Sequence, residues 1–212
     1  MIAIEAATKE QSKCRLWHEE RQWRITASRF GDVVRATSRR NMDLLCESIF
    51  RPKMLTKKAV LHGRKYEKLA IKKAEEHTGV SIQTCGLMID EEMPFLAATP
   101  DGNTGEMLVE VKCPYKGRKE QIRKSAVYFP FLSKSSGSSI TINKRHNYYA
   151  QIQGQLMIAK LKKCLFVIYT FVDFKCINVN YDHRYCEKVL RPALSAFYRK
   201  HYRPHVAKSL YL

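Results

Sequence analysis

The chain is short of several features that would place it at once. No apolar run in its 212 residues reaches the ~18–20 residues that a bilayer-spanning helix needs. The longest, CLFVIYTFV at 164–172, is strand length. Residues 1–13, MIAIEAATKEQSK, have no basic stretch leading into an apolar one, so no secretory signal is expected there. Their two glutamates also count against a transit peptide. No C-x-x-C pair occurs among the seven cysteines, which removes the usual zinc and redox spacings. Free thiols in a reducing, intracellular setting are the expectation. Internal repeats and compositional breaks are missing too. One domain over 1–212 is therefore expected.

Acidic residues are scarce beside basic ones. The sequence has 38 Lys+Arg against 20 Asp+Glu, a net charge of +18 at pH 7. Apolar content, 45%, is ordinary for a folded domain, so disorder is not expected. A large field of one sign on a small domain points to a polyanionic partner. Nucleic acid is favoured over a membrane, because no basic amphipathic helix stands out. The charge suits a nuclear, viral or mobile-element setting without choosing among them.

The residue pattern predicts a short helix, a turn, and a second helix opening after Thr26 within 17–35, then a helix at 42–50. Residues 60–78 predict a long helix stopped by Gly79. Glu67 lies in its apolar arc with Tyr66, Ala70, Ile71 and Ala74. That position fits either a carboxylate capped by a lysine or water, or a metal-site carboxylate. Strands are expected near 80–83, 87–90, 95–102 and 107–114. A basic helix is expected at 117–129, and a Ser-rich loop at 131–141 with a small hairpin near 139–143. A helix at 146–161, a strand pair at 164–181 and an amphipathic helical tail with Pro192 follow. This order predicts an α/β (α+β) fold, a mixed sheet flanked by helices.

The stretch TPDGNTGEMLVEVKCPY, 99–115, carries the chemistry. Alternation in a strand puts Leu108, Glu110 and Lys112 on one face and Met107, Val109 and Val111 on the other. Glu110 and Lys112 would be neighbours about 6.6 Å apart. A hairpin across the Gly-Asn-Thr-Gly turn could bring Asp101 alongside. Two carboxylates on one point suit a hard divalent cation, and a lysine beside them can orient water and offset charge on a phosphate. An E-x-K pair alone is ordinarily a surface ion pair. The spacing P-D-x₈-E-V-K between two apolar strands is more specific.

That spacing resembles the PD-(D/E)XK nuclease superfamily. With WHEERQWRITASRFG at 17–31, LHGRKYEKLAIKKAEEHTG at 61–79, FLAATPDG at 95–102, VEVKCPY at 109–115 and YYAQIQGQLMI at 148–158, the chain resembles the lambda-exonuclease-like, YqaJ-type viral recombinase nucleases from Trp17 to about Phe174. The resemblance implies a restriction-endonuclease-like core and hydrolysis of duplex DNA from its ends, 5′→3′, with Mg²⁺ or Mn²⁺, as two ions. It implies Asp101, Glu110, the Val111 carbonyl and Glu67 as metal ligands and Lys112 as the water-positioning lysine. Gln153 is the matching glutamine, between Tyr149 and Met157 on a helical wheel, with Gln151 the weaker choice. Arg21 and Ser28 match 5′-phosphate contacts, and Thr99 is a weaker one. A guanidinium grips phosphate bidentately, and a hydroxyl near a helix start adds a donor. An ion-paired surface arginine is the plainer reading of Arg21.

The resemblance further implies single-stranded product for recombination, a single-strand annealing protein as partner, and a homo-oligomer, a trimer among relatives. The DNA-end-binding part would fall at 12–50, the catalytic core at 58–180 and C-terminal helices at 183–205. The chain departs from the bacteriophage form in the Ser-rich loop and its basic surface. His62, His77 and His146 read as surface or packing residues, and Tyr148 and Tyr149 as core. KGRKEQIRK at 116–124 would track a DNA backbone or form a solvated face. Three rivals stand beside the exonuclease: an endonuclease or flap nuclease on the same core, a non-catalytic DNA-binding recombination accessory protein, and a basic RNA-binding protein.

Overall fold

A computed structural model describes residues 2–52, 58–134 and 140–210. Residues 53–57, inside the interruption after the 42–50 helix, and 135–139 of the Ser-rich stretch lie outside the described residues. The N-terminal part runs α1 (Ile2–Ala7), α2 (Arg15–Gln22), β1 (Ile25–Thr26), α3 (Ala27–Val34) and α4 (Met42–Phe50). The core continues with α5 (Lys58–Thr78), β2 (Met88–Ile89), β3 (Leu96–Ala98), β4 (Gly102–Asn103), β5 (Leu108–Lys112), β6 (Leu132–Lys134) and β7 (Ile140–Ile142). Then come α6 (Asn147–Ala159), β8 (Lys163–Tyr169), β9 (Phe174–Asn180), α7 (His183–Tyr185), α8 (Arg191–Phe197) and α9 (Arg203–Leu210).

The sheet that holds the site has the order β4-β5-β8-β9. β5 and β8 are parallel, with Lys112 paired to Ile168, and the outer pairings are antiparallel. The two faces alternate as a strand period of two demands. Leu108, Cys164, Phe166 and Ile168 pack with Ile152 and Leu156 of α6. Val109, Val111, Leu165, Val167 and Tyr169 pack with Ala70 and Ala74 of α5. α5 and α6 thus sandwich the sheet. A smaller sheet, β1-β3-β2, hands the chain from β3 through Thr99 and Pro100 to β4.

Local chemistry explains most boundaries. Gly79 ends α5 at φ 71°, a conformation that favours glycine. Gly154 sits inside α6 because a Cβ there would lie 2.2 Å from the Phe30 ring of α3. The tail is helical from His183 to Leu210, with π-helical segments at Cys186–Leu190 and Tyr198–Tyr202. Each ends two residues before a proline, Pro192 and Pro204. The wider turn makes room for a ring that would otherwise strike the carbonyl four residues back.

Three expectations about elements are corrected. The stretch 117–129 is not a basic helix but a series of turns closed by a 3₁₀ turn at Ala126–Tyr128. Its backbone closes local turns, such as Glu120 N to Gly117 O, and is also tied to the β8–β9 turn. Asp173 Oδ2 accepts from Ile122 N at 2.9 Å, and Thr170 Oγ1 donates to Glu120 O at 3.1 Å. The stretch near 80–83 contributes one bridge, Gln83 to Asn103, instead of a strand. The hairpin near 139–143 is broader than expected, since β7 pairs with β6.

Candidate active site

The β4–β5 hairpin builds the centre. Its register, Gly102 opposite Val109, sets Asp101 opposite Glu110. Pro100 ends the backbone ladder there, since proline has no N–H to give. The Asp101 side chain takes over, and its Oδ2 accepts from Val111 N at 2.7 Å. Glu110 is 1% exposed. Its Oε1 accepts from Lys112 Nζ and from Gln151 Nε2, the latter at 2.6 Å. Its Oε2 accepts from Gln155 Nε2 at 2.7 Å. The Lys112 ammonium also lies 4.6 Å from the centre of the Tyr148 ring. Tyr148, Gln151 and Gln155 form one stripe of α6, at i, i+3 and i+7, against the Glu110–Lys112 face.

Gln153 is not part of this group. It is fully buried on the opposite side of α6, where Nε2 donates to Asn180 O at 2.9 Å and Oε1 accepts from Asp182 N at 2.7 Å. The preference for Gln153 over Gln151 is corrected. α6 is buried on nearly every side from Tyr149 to Ile158, so an inward position does not say which inward face is meant. Gln155 was not among the expected site residues, and Tyr148, expected as core, lies over the Lys112 ammonium. Their signal was the polar stripe itself, matched to the polar pair on the strand.

The N-terminal contacts adjoin this centre through one chain of residues. The Arg21 guanidinium stacks on Trp17 at 4.0 Å, and Trp17 Nε1 donates to Thr99 Oγ1 at 3.1 Å, two residues before Asp101. Among the described residues no carboxylate pairs with Arg21. Burial alone lowers its pKa to about 10. Ser28 is exposed in the first turn of α3, with Oγ 3.2 Å from Thr26 Oγ1.

Comparison with known proteins now bears on this arrangement. Residues 16–162 match the family of YqaJ-like viral recombinase domains. The chain belongs to that family. It is 24% identical over 222 residues to an alkaline nuclease of Orgyia pseudotsugata multicapsid polyhedrosis virus, covering 92% of this chain and 50% of the relative. It thus spans about half the length of that curated relative. An alkaline exonuclease from Laribacter hongkongensis superposes with a TM-score of 0.69 at 23% identity, covering 91% of this chain and 95% of that one. A SOX–DNA complex superposes with 0.59 at 12% identity, covering 96% and 71%, and the KSHV SOX RNA complex with 0.60 at 12%, covering 96% and 74%. These likenesses identify the fold as the restriction-endonuclease-like one of alkaline exonucleases, the mixed α/β architecture expected above.

The YqaJ-like domain gathers like charge at its centre. Burial, then the charge of Glu110, pushes the Asp101 carboxyl well above the ordinary aspartate range. Glu67, half-buried on α5, is pushed up by burial and by Glu110, against the pull of Lys112, Arg64 and Lys68. Burial lowers the Lys112 pKa, but Glu110 and Asp101 more than reverse this and hold it above its usual value. Three carboxylates therefore face one ammonium. No described trio of His, Cys, Asp or Glu forms a ready-made metal cage. The donor set still fits a hard divalent cation, because three carboxylates share one ammonium and Glu110 is buried.

Proposed function

We propose that this domain is a metal-dependent DNA exonuclease that hydrolyses duplex ends in the 5′→3′ direction. The observation that carries the reading is the excess of carboxylate around Lys112, with Glu110 buried and Asp101 and Glu67 partly so, in a chain of net charge +18. A buried cluster of like charge is unfavourable for stability, and such clusters mark catalytic sites. Asp101, Glu110, the Val111 carbonyl and Glu67 would hold Mg²⁺ or Mn²⁺, as two ions. The bound metal would supply charge stabilisation to the phosphate and to the leaving oxygen.

The chain's own residues do the rest. Lys112 Nζ, steered by Glu110 and the Tyr148 ring, orients the attacking water and offsets the charge that develops on the phosphoryl oxygens. Gln151 and Gln155 hold both oxygens of Glu110 and so fix where Lys112 points. Water attacks phosphorus, the bond to the 3′-oxygen breaks, and the new end carries a 5′-phosphate again. Arg21, without a carboxylate partner among the described residues and stacked on Trp17, would grip that phosphate with Ser28, and Thr99 would add a weaker contact. In this reading 1–212 act as one nuclease domain. Its single-stranded product suits recombination with a single-strand annealing protein, and a homo-oligomer, such as a trimer, would encircle the duplex.

The test is digestion of linear duplex DNA bearing a 5′-phosphate or a 5′-hydroxyl, with and without Mg²⁺, beside a closed circle and an RNA duplex. Expected is end-dependent, Mg²⁺-dependent loss that favours the 5′-phosphate and slows by about 10²–10³-fold in Lys112→Ala. Cutting of the circle would replace this reading with an endonuclease. Preference for RNA, a ligand seen with the SOX relative, would replace the substrate.

A further inference from the structure

Beyond Lys112 the chain turns through Cys113 and Pro114 to Tyr115, at most about 10 Å further on. The parallel register brings the end of β8 to the same edge, so Phe171 follows Tyr169 there as Tyr115 follows Cys113. The first half of α5 adds His62 and Tyr66, the latter next to Glu67. These rings form one cluster. His62 lies 4.6 Å from Tyr66, 5.6 Å from Tyr115 and 5.5 Å from Phe171, and Tyr66 lies 5.1 Å from Phe171. Arg118 stacks 4.2 Å above Tyr115 and is held there by donating to Tyr115 O at 2.7 Å.

A cluster serving packing alone would cover its members. This one leaves Phe171 44% and Val172 57% exposed at the β8–β9 turn. His62 is 9% exposed, and its Nε2 has no hydrogen-bond partner among the described residues. Burial, then the charges of Arg118 and Lys65, keeps the imidazole pKa below its ordinary value. Positive charge comes instead from Arg118, Lys65, Lys116 and Lys119, none of which pairs with a carboxylate among the described residues. An exposed aromatic ring beside unpaired cations is what an unpaired nucleotide needs, since every base has a face to stack and a phosphate to neutralise.

We propose that His62, Tyr66, Tyr115, Phe171 and Arg118 form a subsite for single-stranded DNA past the carboxyl ends of β5 and β8, beside the active site. An unpaired base stacks on Phe171 there, and Arg118, seated on the Tyr115 ring, meets the adjoining phosphate. The subsite rests on the nuclease reading for its role, because it would receive a strand freed at the duplex end. Its existence is tested without turnover.

The experiment measures binding of a short fluorescein-labelled oligothymidylate by anisotropy, with Mg²⁺, in the Lys112→Ala background. An abasic strand of equal length is the comparison. Phe171→Ala is expected to weaken binding of the normal strand about 5- to 100-fold and to leave binding of the abasic strand unchanged. Phe171→Tyr keeps the π-face and is expected to bind normally. Equal effects on both strands, or none on either, overturn the proposal. So does a fall in oligomeric mass with unchanged strand affinity, which would assign the patch to a second copy of the chain. Should Phe171→Ala lower the melting temperature, Phe171→Leu, which keeps apolar bulk, is read by the same criteria. Consumption of DNA by the Lys112→Ala background at the wild-type rate would overturn the catalytic role of Lys112 instead, leaving the base dependence readable.

Discussion

Two aspartates on opposite sides of α6 have opposite fates. Asp182 receives a hydrogen bond from Tyr149 Oη at 2.7 Å, from Tyr185 N at 3.0 Å and from Lys144 Nζ at 3.0 Å. Those partners hold its pKa down at about 2. Asp101 has one backbone donor and two carboxylate neighbours, and its pKa is driven up. The first carboxylate is satisfied and stabilises the start of the C-terminal helices. The second is crowded and has something left to bind. α6 serves both, with Tyr149 and Gln153 on one side and Tyr148, Gln151 and Gln155 on the other.

Substitutions should separate the two sides sharply. Lys112→Ala is expected to lower kcat by about 10²–10³-fold, measured on linear duplex with Mg²⁺, because it removes a preorganised charge from the transition state. Asp182→Ala should leave kcat within a few-fold and destabilise the protein by about 1–3 kcal/mol, seen by denaturant titration. A loss of activity in Asp182→Ala with unchanged stability would erase the contrast.

The glutamines sharpen it next. Gln151→Ala is expected to slow hydrolysis about tenfold or more, with little change in melting temperature. Gln153→Ala should do the reverse, lowering Tm by about 2–4 °C for each kcal/mol lost while the rate holds. This pair also marks where the sequence stops being readable. Asp101, Glu110 and Lys112 could be aligned from residue types alone, because a strand has only two faces and the turn between them is short. The helix wheel could not choose Gln151, because α6 is covered almost all round. Nor could the charge pattern of 117–129 reveal that its backbone would be claimed by Asp173 and Thr170, more than forty residues later. Arg21 stacked on Trp17 had a signal, an aromatic four residues before a cation, but the link to Thr99 is purely tertiary.

Acidity gives a gentler comparison. A carboxylate with a raised folded pKa favours folding most fully below its unfolded value of about 4, and that contribution is lost as pH rises through the folded value. Asp101 and Glu67 behave this way in metal-free protein. Asp182 does the opposite: its contribution is present above about 4 and is lost as pH falls towards about 2. Melting temperature in chelator should therefore rise as pH is lowered from 8 towards 5. Mg²⁺ should flatten that slope, and Asp182→Asn should leave it in place. The smallest effect is expected from Arg21→Ala, which should reduce the preference for a 5′-phosphate over a 5′-hydroxyl end by about tenfold in kcat/KM while cleavage persists.

The most direct measurement is the thermal shift produced by Mg²⁺ at pH 8 in the wild type and in Asp101→Asn. If crowded carboxylate is what the site holds in reserve, Asp101→Asn melts higher than the wild type in chelator. Mg²⁺ then raises the wild type and barely moves the variant. A variant that melts lower than the wild type in chelator, with no Mg²⁺ response in either protein, would contradict the account.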